Sequence, residues 1–188
     1  SDLRGWEWRY LWEQCQSDGL FVLGEHSDGV TTVCFVPDGK TLASGSYDRT
    51  VRIWDLETRQ PRATLPHNGA LWGLAFSPDG KWLATWISPK DDPVRIWDTR
   101  SWNLATTWTE LKFVGSLAFS PDGKMLATAG ENGGTLWEIS THRQAATFPA
   151  MCGTINTGGQ GVAFSPTGHL LAYLRRQGDQ PAIGLYDI

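Results

Sequence analysis

Phe76-Ser77-Pro78-Asp79-Gly80 is the stretch on which the reading of this chain turns. The Pro presets φ for a tight turn, the Asp side chain bonds nearby backbone, and the Gly supplies a positive φ. An alternating apolar run from Leu71 to Phe76 precedes it and another apolar run follows, so the segment reads as strand, turn, strand. The signature recurs as Phe35-Val36-Pro37-Asp38-Gly39, Phe119-Ser120-Pro121-Asp122-Gly123 and Phe164-Ser165-Pro166-Thr167-Gly168. Successive copies stand 41, 43 and 45 residues apart, the period of a stacked β unit.

Nine residues before and nine after each Phe stand His26 and Ser44, His67 and Thr85, Glu110 and Thr128, Ile155 and Tyr173, a constant kernel of 18 residues. A third apolar run closes each unit on an aromatic and an acid: Trp54-Asp55, Trp97-Asp98, Trp137-Glu138 and Tyr186-Asp187. Eleven residues beyond each Trp comes the apolar end of a fourth strand, at Leu65, Trp108 and Phe148. Four short antiparallel strands make one unit, and one such sheet cannot bury both of its faces alone.

In these features residues 18–188 resemble the WD40-repeat family of β-propellers, whose units carry a Gly-His, a Ser-Pro-Asp-Gly turn and a closing Trp-Asp. The resemblance implies an all-β fold of about four four-stranded antiparallel blades, at about 26–66, 67–109, 110–154 and 155–188. It also implies a hydrogen-bonded tetrad on each blade: His26, Ser44, Asp48 and Trp54 in the first unit, His67, Thr85, Asp91 and Trp97 in the second. The third and fourth units depart from the pattern at Glu110, Ile155 and Tyr186, so their tetrads are expected to be broken and replaced by apolar packing.

Residues 19–25 read as a fourth strand without a unit of its own. That orphan either completes the last unit by closing a small ring, or pairs with further blades of a larger one; the larger ring is favoured, the further blades coming from the same or another chain. Residues 1–17 read as a short N-terminal helix or linker, with Leu3, Trp6 and Tyr10 on one face and Trp8, Leu11, Trp12 and Cys15 on another. Such a helix either sits between the propeller and something upstream or lies across the propeller rim. Residues 2–15 are similar to a linker ahead of WD40 arrays in large bacterial multidomain proteins, including serine/threonine kinases. The absence of an initial Met and the stop at Ile188 inside an apparent strand suggest a segment of a longer protein.

A formal charge of −4 gives no electrostatic reason to approach nucleic acid or an anionic membrane. Cys15, Cys34 and Cys152 lack C-x-x-C spacing, which fits a reducing, cytoplasmic setting without a zinc site or disulfide framework. His142 and His169 fall in turns with no carboxylate or cysteine at a ligand spacing. Asp38, Asp79 and Asp122 belong to turns, and Asp55, Asp98, Glu138 and Asp187 recur at strand ends, so neither set reads as an acid and base pair. No catalytic residue, cofactor or metal is expected.

Unit length varies in only two places. The distance from the kernel's end to the closing aromatic is 10, 12, 9 and 13 residues, and from the closing Trp to the next kernel 13, 13 and 18. In a propeller both connections emerge on one face. Insertions confined to that face suggest recognition there, although loops also drift where length costs little. The candidate partner-binding loops contain Trp86, Ile87, Lys90 and Asp92, then Met151 and Asn156, then Arg175 and Arg176, with Trp86 expected near solvent. The function expected is a non-catalytic scaffold for a protein or peptide; the alternative is a regulatory or sensory region of a larger bacterial enzyme such as a serine/threonine kinase.

Overall fold

The structure is a computed structural model and describes residues 22–87, 94–108, 114–130, 133–150, 161–175 and 180–188, with backbone alone at 176 and 177. Each Pro-x-Gly segment closes a tight turn. The amides of Val36, Ser77, Ser120 and Ser165 donate to the carbonyls of Thr41, Trp82, Met125 and Leu170 at 2.8 to 2.9 Å. Gly39, Gly80, Gly123 and Gly168 hold φ between 67° and 79°, a conformation that costs a side-chain-bearing residue about 1 kcal/mol.

Fifteen strands follow among the described residues. The first sheet is β1 (Val30–Phe35), β2 (Thr41–Ser46), β3 (Thr50–Asp55) and β4 (Gln60–Pro66). The second is β5 (Leu71–Phe76), β6 (Trp82–Ile87), β7 (Val94–Asp98) and β8 (Leu104–Trp108); the third is β9 (Val114–Phe119), β10 (Met125–Gly130), β11 (Gly133–Glu138) and β12 (Arg143–Phe148). The fourth has three strands, β13 (Val162–Phe164), β14 (Leu170–Gln177) and β15 (Gln180–Asp187). Within each sheet the strands lie in chain order and every pair is antiparallel.

The sheets stack as blades, with β1 beside β5, β5 beside β9 and β9 beside β13. Apolar side chains fill the space between them. Ala43, Val51 and Ile53 of the first blade meet Leu71, Leu74, Phe76 and Leu83 of the second; Ile96 and Trp108 meet Leu117 and Trp137; Leu136 and Phe148 meet Leu171 and Tyr173. Burial of each large side chain contributes about 1.5–3 kcal/mol, so the blade interfaces dominate cohesion.

Two expectations need restating. The helix at 1–17 lies outside the described residues. Residues 22–25 belong to no strand, and 19–21 lie outside the described residues. The physical reason is position: the segment precedes His26 as β4 precedes His67, so it runs where a blade ahead of the first would stand, and no neighbouring strand offers it a ladder. As three complete units and three strands of another lead one to expect, the last unit has three strands among the described residues.

Candidate functional site

Antiparallel order within each blade places the Pro-x-Gly turns and the turns from third to fourth strand on one rim. The connections from second to third strand, and from one blade to the next, fall on the opposite rim. That rim holds the variable loops. In the first blade it consists of Ser27 to Gly29 and of Tyr47 to Arg49, joined by the Ser46 hydroxyl, which reaches the carbonyls of Asp28 at 3.1 Å and Gly29 at 3.0 Å. The Tyr47 amide donates to the Gly29 carbonyl at 3.0 Å, and the residue is 54% exposed beside the exposed Asp28 and Arg49.

Directly below, a polar relay ties four side chains. Asp48 Oδ2 accepts from His26 Nδ1 at 2.8 Å, His26 Nε2 faces Ser44 Oγ at 2.7 Å, and Trp54 Nε1 donates to Ser44 Oγ at 2.8 Å. A carboxylate only accepts, so His26 Nδ1 carries a proton. Burial works against the Asp48 charge, but the Thr50 hydroxyl, His26 and the amides of Ser27 and Thr50 outweigh it and hold the carboxyl well below the usual range.

The second blade keeps part of this chain. Trp97 Nε1 donates to Thr85 Oγ1 at 3.0 Å, Thr85 faces His67 Nε2 at 2.8 Å, and His67 Nδ1 lies 3.1 Å from the Leu65 carbonyl oxygen. Burial pushes the His67 pKa down to about 4; the Leu65 carbonyl acts the other way and the Arg95 charge lowers it again. Asp91 lies outside the described residues. The third and fourth blades use aromatic contacts instead. Trp108 stacks on Trp137 with centroids 4.8 Å apart and planes 18° apart, and Phe148 lies 5.2 Å from Tyr173 and 5.9 Å from Tyr186. Trp137 still donates to Thr128 at 3.2 Å.

The predicted binding residues separate. Ile87 is buried at 4% exposure, and Trp86 is half-buried, its ring over Gly73, where a Cβ would come within 2.0 Å. Trp86 is the cross-strand partner of Gly73, and the glycine leaves room for the ring to lie flat, so Trp86 reaches solvent only in part. Lys90, Asp92, Met151 and Asn156 lie outside the described residues. Arg175 and Arg176 are in strand rather than loop: β14 and β15 pair from Leu170↔Asp187 out to Gln177↔Gln180. The inserted residues lengthen the ladder because pairing satisfies their backbone groups.

Two features escaped the sequence reading. Tyr47 sits in a connection of ordinary length, so a search for insertions passes over it; its signal is a large aromatic in a short turn. Arg52 and Arg95 occupy equal positions in β3 and β7, and their guanidinium groups donate to the carbonyls of Glu25 and Pro66, the residues preceding His26 and His67. Arg52 also lies over the Trp54 ring, 6.0 Å from its centroid. Their signal is the repeated Val-Arg-Ile-Trp-Asp.

The recurring acids serve turns. Asp38 accepts from the amides of Lys40 and Thr41, Asp79 from Ser77 and Lys81, Asp122 from Ser120 and Lys124, and Asp55 and Asp98 cap the turns that follow them. Among the described residues no group of three His, Cys, Asp or Glu is placed to hold a metal ion.

The family model described as WD domain, G-beta repeat, matches residues 18–55, 59–98 and 104–136. Coronin-7 of Mus musculus is 48% identical over 66 residues, 34% of this chain and 7% of that protein. The periodic tryptophan protein 2 homolog of Schizosaccharomyces pombe is 40% identical over 73 residues, 38% of this chain and 8% of that protein. The matched stretches thus span less than a tenth of these relatives. A chain in the crystal structure of a mitotic checkpoint complex superposes with a TM-score of 0.72 and 26% identity over 90% of this chain and 52% of its own. Repeat, blade geometry and family match agree: this chain belongs to the WD40-repeat family.

Proposed function

We propose that the chain is a non-catalytic protein-interaction scaffold that receives a protein or peptide on the rim of variable connections. The observation that carries this reading is the contrast between the rims. The Pro-x-Gly rim repeats one turn chemistry blade after blade, whereas the other presents the exposed Tyr47 with Asp28 and Arg49 in the first blade and the lengthened β14–β15 hairpin in the last. A rigid aromatic flanked by opposite charges suits a protein partner, because Tyr gains contact area at little entropic cost. The relay beneath holds that rim in shape, and the recurring acids of the first three blades are engaged in turns and relays. A negatively charged chain in a reducing, cytoplasmic setting fits a protein partner better than nucleic acid or membrane.

The test is affinity capture followed by binding of the purified partner to Tyr47→Ala/Arg49→Ala. At least a tenfold loss of affinity with an unchanged thermal midpoint is expected. Equal affinity for the variant removes the first-blade rim from the interface.

A further inference from the structure

Asp28-Gly29, Asp38-Gly39, Asp79-Gly80 and Asp122-Gly123 share one chemical liability: glycine puts no side chain in the way of its own amide nitrogen, which can close onto the aspartate before it. A fifth pair, Asp18-Gly19, lies outside the described residues. The three pairs in tight turns are held away from that reaction. The amides of Gly39, Gly80 and Gly123 donate to the carbonyls of Val36, Ser77 and Ser120 at 2.8 to 2.9 Å. Their aspartates face onward, each accepting with Oδ1 from the amide of Lys40, Lys81 or Lys124 at 2.8 to 3.1 Å. Asp28-Gly29 differs in both respects. The ladder of β1 begins at Val30, so the Gly29 amide makes no backbone bond among the described residues, and its nitrogen lies 2.7 Å from Asp28 Oδ1. Both residues are exposed.

We propose that Asp28-Gly29 is a modification site, at which Asp28 isomerises spontaneously to isoaspartate and unties Tyr47 from the loop before β1. The Gly29 nitrogen bonds to Asp28 Cγ, and the carboxyl hydroxyl leaves with the amide proton as water, giving a succinimide. Water then adds to one of the two ring carbonyls. Addition at Cγ restores aspartate; addition at the Asp28 main-chain carbonyl turns that carbon into a free carboxylate and runs the backbone through Cγ. Water is the only co-reactant, and the mass does not change. Holding a nucleophile against the group it attacks is what favours such a closure. The product lengthens the backbone by one carbon at a point where three bonds converge. The Gly29 carbonyl accepts from the Tyr47 amide and the Ser46 hydroxyl, both at 3.0 Å, and the Asp28 carbonyl accepts from the same hydroxyl at 3.1 Å. This chemistry stands whether or not the rim binds a partner.

The test is prolonged incubation of the purified chain at body temperature and mildly acidic pH in heavy-oxygen water, followed by peptide mapping. Each ring opening leaves one heavy oxygen, and isoaspartate is read by its resistance to an aspartate-directed protease and its esterification by a protein isoaspartyl methyltransferase. Isoaspartate at position 28 is expected at least tenfold above that at 38, 79 and 122. In urea the four pairs should react at comparable rates, because the turns no longer protect three of them. Asn68-Gly69 closes the same ring by expelling ammonia, and its mass change tells it apart. Asp28→Glu, which would have to close a larger and slower ring, should lose the signal at position 28. In the isomerised fraction the Tyr47 amide should exchange with deuterium at least tenfold faster than in the fresh chain. Equal isoaspartate at the four pairs in the folded chain, or none at Asp28, overturns the proposed site. Unchanged exchange at Tyr47 overturns its coupling to the rim.

Discussion

The first blade and the third solve the same packing problem with opposite chemistry. In the first, the indole of Trp54 is held from above by a relay of Ser44, His26 and Asp48. In the third, the corresponding Trp137 keeps its bond to Thr128 but is covered by the flat face of Trp108, delivered from the end of the preceding blade. The second blade stands between them, with a His that bonds a carbonyl on one side and a Thr on the other. A polar relay is directional and stabilising when every member is paired, while a stacked aromatic gains dispersion and area with no partner to lose. Across these three blades the closing Trp is the constant and its cover is interchangeable.

Several substitutions break or sharpen that comparison. Trp108→Ala should have the largest effect, about 4 kcal/mol lost in urea unfolding, because it opens a cavity over Trp137. Trp108→Phe should cost only about 1 kcal/mol, since it keeps an aromatic face and removes a buried N–H that finds no partner among the described residues. In the first blade Asp48→Ala should cost about 3 kcal/mol by leaving His26, Thr50 and two amides without their acceptor.

The second blade predicts a pH response. His67 is depressed from an ordinary 6.5 to about 4, so the unfolded chain binds a proton across this window that the folded chain does not. Stability is therefore full above 6.5 and declines as pH falls towards about 4, by up to about 3 kcal/mol. A His67→Gln chain should show a shallower slope in that window. Asp48, held low, adds a separate loss that begins only below its ordinary 3.8.

Smaller effects separate the two covers further. Trp54→Phe, which removes a donor from the relay, should cost about 2 kcal/mol, against about 1 kcal/mol for Trp137→Phe with its longer bond to Thr128. The smallest change lies on the opposite rim. Arg59 holds φ at 59°, and Arg59→Gly should stabilise the chain by a few tenths of a kcal/mol by relieving that conformation.

Much of the scaffold was legible in the sequence. The Pro-x-Gly signature places the tight turns, the 18-residue kernel names the side chains now seen at 2.7 Å in His26 and Ser44, and the recurring Trp-Asp ends the third strands. The candidate rim was less legible. The insertion after Trp86 places it near solvent, but how much of the ring is covered depends on Gly73 across the strand pair. Arg175 and Arg176 looked like loop, but paired strands use inserted residues more favourably than an open loop does.

The sequence by itself determined the repeat, the strand order and the set of residues on each face of each blade, because a period of two assigns side chains to faces without reference to neighbours. Only the tertiary structure decided which of those faces are covered. Phe35 and Phe76 open the same Phe-x-Pro-Asp-Gly signature, yet one is exposed and the other buried, since burial belongs to the blade next door rather than to the strand. For the same reason no pattern within the third unit reveals that Trp108, from the unit before it, replaces the missing histidine.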